Sequence, residues 1–174
     1  KVLGTLPSLS SLTMAECSLS TLAGLESAKN LTLLDLRGNT LKKLDPLSGM
    51  TSLAELNLQN NAVTDLTVLS GLTNLVKLNV GFNALTSLSP LRSCTRLTWL
   101  NADNNQITVL DGVEALTGLT TLNVSYNKLV NVDVLAGLTE LTELGIGSNT
   151  ISDISALKTL TKLQSFDFSS NQIA

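Results

Sequence analysis

Residues 31–41 read LTLLDLRGNTL, and the phrase returns as LAELNLQNNAV at 53–63, LVKLNVGFNAL at 75–85 and LTWLNADNNQI at 97–107. It continues as LTTLNVSYNKL at 119–129, LTELGIGSNTI at 141–151 and LQSFDFSSNQI at 163–173. Counting a divergent first copy, the leading leucines are Leu9, Leu31, Leu53, Leu75, Leu97, Leu119, Leu141 and Leu163, each 22 residues after the last. No insertion or deletion breaks the spacing. A fixed period of this length is the mark of a stacked-repeat architecture, and it takes precedence over any local reading.

Within the phrase, counted from its leading leucine, apolar residues at positions four and six alternate with polar ones at three, five and seven. That period of two predicts a short strand with one face buried. Position nine is asparagine in seven copies, Asn39, Asn61, Asn83, Asn105, Asn127, Asn149 and Asn171, and Cys17 in the first. An amide both donates and accepts, so a buried ladder of asparagines can satisfy the backbone where the chain bends inward from the strand. Cys17 is expected to be a tolerated substitute near one end.

The second half of each repeat changes rhythm. Leu41, Leu44, Leu47 and Met50 recur every third residue, as do Val63, Leu66, Leu69 and Leu72 and, later, Ile151, Ile154, Leu157 and Leu160. A spacing of three matches the 3₁₀ helix, whose residues i and i+3 eclipse. Asp45-Pro46 and Ser89-Pro90 read as a cap followed by proline at the first helical position, and Thr67, Asp111, Asp133 and Ser155 occupy the same cap site.

The predicted fold is therefore a single α/β solenoid over residues 1–174, with eight parallel strands on a concave sheet and short 3₁₀ turns on the convex side. At a strand spacing of ~4.8 Å the sheet would be roughly 34 Å across. The chain starts partway through a repeat and ends just after Ile173 with no polar cap. A solenoid needs capping repeats for solubility, so the expectation is a segment of a longer protein lacking its caps.

Composition narrows the function. Hydrophobic residues are 43% and aromatics 3%, so the core is aliphatic. The formal net charge is -3, with no basic footprint for nucleic acid. No apolar run reaches the ~18 residues that would suggest membrane insertion. There is no histidine, which excludes Ser-His-Asp and Cys-His catalysis within these residues. Cys17 and Cys94 are too few for a zinc site, and they lie more than three repeats apart, too far to pair. No metal, cofactor or catalytic residue is expected. Asp35 and Glu55 on neighbouring strands are the nearest approach to a carboxylate pair, but an open sheet offers no cleft for glycoside chemistry. GIGSN at 145–149 looks superficially like a phosphate loop, and the repeat accounts for it as strand. The sequon at Asn30 is formal, and that at Asn123 falls mid-strand.

The phrase LxxLxLxxNxL at this spacing resembles the 22-residue class of leucine-rich repeats, over essentially the whole chain. ISDISALKTLTKL at 151–163 is similar to bacterial internalins, and the repeat length is similar to that of the leucine-rich regulatory subunit of protein phosphatase 1. An axonemal dynein light chain also carries this short repeat. The resemblance implies a protein-binding module or scaffold that uses its concave face, and a monomer. The internalin pairing of Asp before the 3₁₀ turn with Pro inside it is only partly kept, as Asp65 and Asp153 and as Pro46 and Pro90. The phosphatase regulator's ladder of acidic and aromatic residues is not reproduced. Two cysteines tilt the expectation toward an intracellular, cytoplasmic or cytoskeletal scaffold. The alternative is an extracellular internalin-like adhesin or recognition receptor.

On the concave face, position three carries Ser11, Leu33, Glu55, Lys77, Trp99, Thr121, Glu143 and Ser165. Trp99, midway along, has the character of a binding hot spot. The competing reading lays it flat over the stem of Lys77, covering backbone. Arg37, Glu55, Lys77, Asp103 and Glu143 give the face a mixed charge that sets specificity, and Asn101 lies further along the Trp99 strand. Leu33 would extend an apolar path along the Trp99 column or be covered by a missing N-terminal cap. Phe82 and Tyr126, at position eight, are candidate contacts too, although packing against neighbouring repeats at the bend is the favoured account of both.

Overall fold

The computed structural model describes residue 6 and residues 8–173. Eight strands of three residues form one sheet in chain order. They are β1 (Ser11–Thr13), β2 (Leu33–Asp35), β3 (Glu55–Asn57), β4 (Lys77–Asn79), β5 (Trp99–Asn101), β6 (Thr121–Asn123), β7 (Glu143–Gly145) and β8 (Ser165–Asp167). All seven pairings are parallel, and each residue faces the one 22 places on: Lys77 meets Trp99, Leu78 meets Leu100, Asn79 meets Asn101. A three-residue strand has no stability of its own. Here each strand is held by its neighbours on both sides, so stability is a property of the stack.

The aliphatic core runs the length of the solenoid. Leu78, Leu100 and Leu122 from the strands meet Leu69, Leu91 and Leu135 from the opposite side, all fully buried. Six 3₁₀ turns are present among the described residues: Asp45–Leu47, Thr67–Gly71, Ser89–Ser93, Val113–Ala115, Asp133–Gly137 and Ser155–Thr159. Each closes with an i→i−3 bond, as when Leu91 N–H donates to the Leu88 carbonyl at 2.9 Å.

The asparagine ladder forms as the sequence predicts, with a feature the pattern alone does not show. The Asn105 amide donates to the Val80 carbonyl of the preceding repeat at 3.0 Å and to the Ala102 carbonyl of its own at 3.1 Å. Its Oδ1 accepts the Leu85 N–H at 2.9 Å. Val80 also accepts from Asn83, and Ala102 from Asn127. Each of these carbonyls thus takes two amides, one from its own repeat and one from the next, and every rung binds the next.

Two expectations need correction. Asp45, Thr67, Ser89, Asp133 and Ser155 are not caps: they are the first residues of their turns, and no side-chain cap bond comes from the residue before any of them. The capping group sits two residues earlier. Asp65 Oδ1 accepts the Thr67 N–H at 2.8 Å, Asp153 Oδ1 the Ser155 N–H at 2.7 Å, and Asn131 Oδ1 the Asp133 N–H at 2.6 Å. This is the Asx-turn arrangement, in which a short polar side chain bonds a backbone N–H two residues on. Asp111 does not cap either, because Val109 stands at the capping position of that repeat. There Gly112 takes a left-handed φ of 92°, and Glu114 Oε2 accepts its N–H at 2.6 Å. The second correction concerns Cys17, which its place in the buried ladder would set inside the protein. Cys94 is buried, but Cys17 is exposed, and its Sγ donates to the Ala15 carbonyl at 3.1 Å.

Candidate functional site

The concave surface is built by the outward-facing residues of β1 to β8, with positions three and five of every repeat in register. At its centre Trp99 stands half-buried, and two shallow grooves meet at its ring. One, of about 400 Å³, runs toward the N-terminal end and is lined by Leu33, Asp35, Glu55, Lys77 and Asn79 as well as Trp99. The other, of about 340 Å³, runs the opposite way past Asn101, Thr121, Asn123, Glu143 and Asp167. Leu33 and Trp99 line the same groove, with the charged Glu55 and Lys77 standing between them in the column.

Electrostatics differ between the two halves. In the N-terminal half each cation has its own carboxylate. Arg37 lies 3.4 Å from Asp35 and Lys77 lies 3.7 Å from Glu55. These pairs are solvent-exposed on the cation side, so they orient side chains more than they stabilise the fold. The register sets Asp35 opposite Asn57 and Glu55 opposite Leu33. The two carboxylates therefore face different partners, and neither is arranged as an acid–base dyad. In the C-terminal half Glu143 and Asp167 line the groove with no cation among its lining residues. Hydrogen bonds from the Ser169 hydroxyl and N–H hold the Asp167 carboxyl below the usual carboxylate range, so it is anionic at neutral pH.

Position five forms a second, half-buried amide row. Asn57, Asn79, Asn101 and Asn123 each accept a backbone N–H two residues on, as Asn101 Oδ1 does from Asp103 at 3.2 Å. Asn101 Nδ2 donates to Asn79 Oδ1 at 3.3 Å, tying neighbouring strands. Only Asn101 of this row stands out from sequence reasoning. The recurrence of asparagine at every twenty-second residue was the available signal for the rest, as was its interruption by Gly145.

The remaining candidates are placed as follows. Asp103 is drawn down into the face: Oδ2 accepts from Asn104 Nδ2 at 2.9 Å, while Oδ1 is buried without a hydrogen-bond partner among the described residues. That oxygen occupies the space left by the missing side chain of Gly81. Phe82 and Tyr126 are 47% and 60% exposed. Packing against neighbouring repeats therefore does not describe them. They stand apart from Trp99, on a ridge of left-handed residues at position eight that includes Asn60, Phe82, Asn104 and Tyr126, with φ from 52° to 55°. Backbone bonds to the next repeat hold that conformation, with Phe82 N–H donating to the Asp103 carbonyl at 2.9 Å and Tyr126 N–H to Gly147 at 2.8 Å. Bulky side chains are rare at positive φ, where the usual occupant is glycine or asparagine.

No group of His, Cys, Asp and Glu among the described residues is arranged to hold a metal ion. No helix among them is long and apolar enough to cross a membrane.

Comparison with known proteins follows this geometry. A two-copy leucine-rich repeat model matches residues 29–71, 51–93 and 95–137, and a second leucine-rich repeat model matches residues 117–173. Among solved structures, internalin C2 of Listeria monocytogenes superposes with a TM-score of 0.96 at 31% identity, covering 99% of this chain and 76% of that one. The functional domain of InlJ from the same organism, described as including a cysteine ladder, gives 0.81 at 30% identity over 97% of this chain and 41% of the other. The leucine-rich repeat ectodomain of the plant membrane receptor kinase GASSHO1/SCHENGEN3 from Arabidopsis thaliana gives 0.86 at 25% identity, over 99% of this chain and 22% of that one. No curated protein sequence matches.

Proposed function

Because the chain belongs to the leucine-rich repeat family, whose fold is a protein–protein interaction module, we propose that its concave face holds a protein partner and that Trp99 is the hot spot of that contact. The observation that carries this reading is the position of Trp99 at the shared wall of two grooves, half-buried and central. Large aromatic side chains at the centre of a contact surface supply most of the affinity in protein complexes, because they bury much area with few rotamers to freeze. Lys77 and Asn101 adjoin it, Glu55 and Arg37 lie farther along the face, and together they set specificity and encounter rate more than affinity. Asp103 contributes through the shape of the surface, its free oxygen being turned inward. Phe82 and Tyr126 form a separate ridge that a large partner would reach.

Similarity to internalins and to a receptor ectodomain supports the extracellular recognition reading over the cytoplasmic one. The phosphatase-regulator likeness finds no counterpart among these relatives. A catalytic role has no support in the geometry, since Asp35 and Glu55 are each paired with a cation on an open sheet.

The test is capture of protein partners with the chain as bait, beside Trp99→Ala, with identification by mass spectrometry and affinity then measured by calorimetry. A hot-spot loss of at least 2 kcal/mol, roughly thirtyfold in Kd, is expected with unchanged circular dichroism. Val130→Asp, on an exposed residue away from the sheet, leaves affinity within about twofold. A partner bound equally by wild type and Trp99→Ala sinks the hot-spot assignment.

A further inference from the structure

The C-terminal groove carries a chemistry that its N-terminal counterpart lacks, and resting on the protein-binding reading above, we infer that it receives an arginine-bearing segment of the partner. The charge arrangement comes first. Among the described residues, the cations of the concave face, Arg37 and Lys77, are both on the N-terminal side of Trp99, each held by its own carboxylate. Past Trp99, Glu143 and Asp167 line a groove of about 340 Å³ with no cation on its walls.

The floor is the second observation. Gly145 interrupts the asparagine row and Gly147 follows two residues later, so repeat seven presents no side chain at positions five and seven. Acceptor atoms lean over both: Asn123 Oδ1 lies 2.6 Å from where a Cβ on Gly145 would be, and Asp167 Oδ2 2.9 Å from one on Gly147. The surface between Glu143 and Asp167 is therefore rich in oxygen acceptors. It matches a group that only donates.

The third is the wall. Trp99 closes this groove with an aromatic ring. A guanidinium is a planar donor-only fork that binds carboxylates and stacks on aromatic faces, and it is more weakly hydrated than an ammonium. The face of an indole attracts a cation placed within about 6 Å. A segment with more than one arginine thus uses the three features in turn, one guanidinium against the Trp99 ring and another, two to three strands further on, against Glu143 and Asp167. An acidic segment would set like charges against Glu143 and Asp167, and a purely apolar one would desolvate both carboxylates without giving them a partner.

The test uses a dye-labelled octapeptide of alternating serine and arginine, with its citrulline counterpart as an uncharged isostere. Anisotropy reads affinity, and the emission of Trp99, the chain's one tryptophan, reports contact at the groove. The variant is Glu143→Gln with Asp167→Asn. The second substitution keeps an amide oxygen as acceptor for the Ser169 N–H, which Asp167 Oδ1 takes at 3.0 Å. The charge-matched control is Glu26→Gln with Asp45→Asn, both exposed and off the concave face. The expected result is saturable binding of the arginine peptide with a Trp99 emission change. That affinity falls about tenfold in the groove variant and less than twofold in the control. Equal losses in both variants would reduce the effect to attraction by net charge and overturn the assignment. So would equal binding of the citrulline peptide, or none of either. A captured partner lost with Trp99→Ala would still uphold the concave face, because that experiment requires no arginine.

Discussion

Removing one rung of the asparagine ladder tests the physics of the stack most directly. Asn105 is 3% exposed, and its side chain serves the backbone of two repeats. With Asn105→Ala the Leu85 N–H loses its acceptor, Asn105 Oδ1 at 2.9 Å, inside the protein. A buried orphan donor costs about 1–3 kcal/mol. The Val80 and Ala102 carbonyls fare better, because each keeps a second amide, from Asn83 and Asn127. Each lost bond there costs about 0.5–1.5 kcal/mol net. The expected destabilisation is about 2–6 kcal/mol, large for a single substitution. Asn171→Ala is the internal comparison. It removes the same set of bonds, to Ile146, Phe168 and the Ile151 N–H, but at the last repeat, where its bond to Phe168 is solvent-exposed and water can replace it. About 1 kcal/mol is expected there. Urea unfolding followed by far-ultraviolet circular dichroism and Trp99 emission measures both, with coincident transitions as the check on two-state behaviour. A cost below about 1 kcal/mol for Asn105→Ala, or equal costs at the two sites, would refute the reasoning.

Three further outcomes are expected. Gly81→Ala places a methyl against the inward-turned Asp103 Oδ1, so it destabilises by about 1–2 kcal/mol alone but by much less in an Asp103→Ala background. Equal costs in the two backgrounds would show that the contact does not set the penalty. A thiol reagent at mildly alkaline pH labels one cysteine in the native state, the exposed Cys17, and the second only on unfolding. Burial pushes the Cys94 thiol up to about 11 and keeps it protonated; two equally fast thiols would contradict its placement. Asp65 and Asp153 are held below their ordinary value of 3.8, the first chiefly by the Thr67 hydroxyl and the second chiefly by the Ser155 N–H. A depressed folded value gives stability that is present above the unfolded value and lost as pH falls through the folded one. The melting temperature should therefore drop on acidification from about pH 4 downward, and less steeply in Asp65→Asn with Asp153→Asn. Identical acid profiles would remove these caps from the account.

The architecture was legible in the sequence because every repeat solves the same local problem with the same residues. Alternation at positions four and six, the every-third apolar rhythm after it and the recurring asparagine describe strand, turn and ladder without reference to anything distant. With an unbroken spacing of 22 residues, stacking in register follows, since any other alignment would bury polar positions and expose leucines. The concave placement of Trp99 was legible for the same reason.

Details that join one repeat to another were decided only in three dimensions. In the turns preceded by Asp65, Asn131 and Asp153, capping passed from the first residue to the side chain two residues before it, because an Asx-type bond spans that separation and a side chain inside the turn does not face its own N–H. Phe82 and Tyr126 were expected to pack at the bend, but left-handed backbone bonded to the next repeat turns them into solvent. Asp103 lost an oxygen to the space above Gly81, a residue one repeat away. Trp99 became the partition between a charge-paired groove and an acidic one because Arg37 and Lys77 reach the carboxylates nearest them and, among the described residues, no cation pairs with Glu143 or Asp167. The periodic pattern sets which face a residue occupies. Which atoms meet across the 22-residue step depends on side-chain direction and on the size of the neighbour, and those exist only once the repeats are stacked.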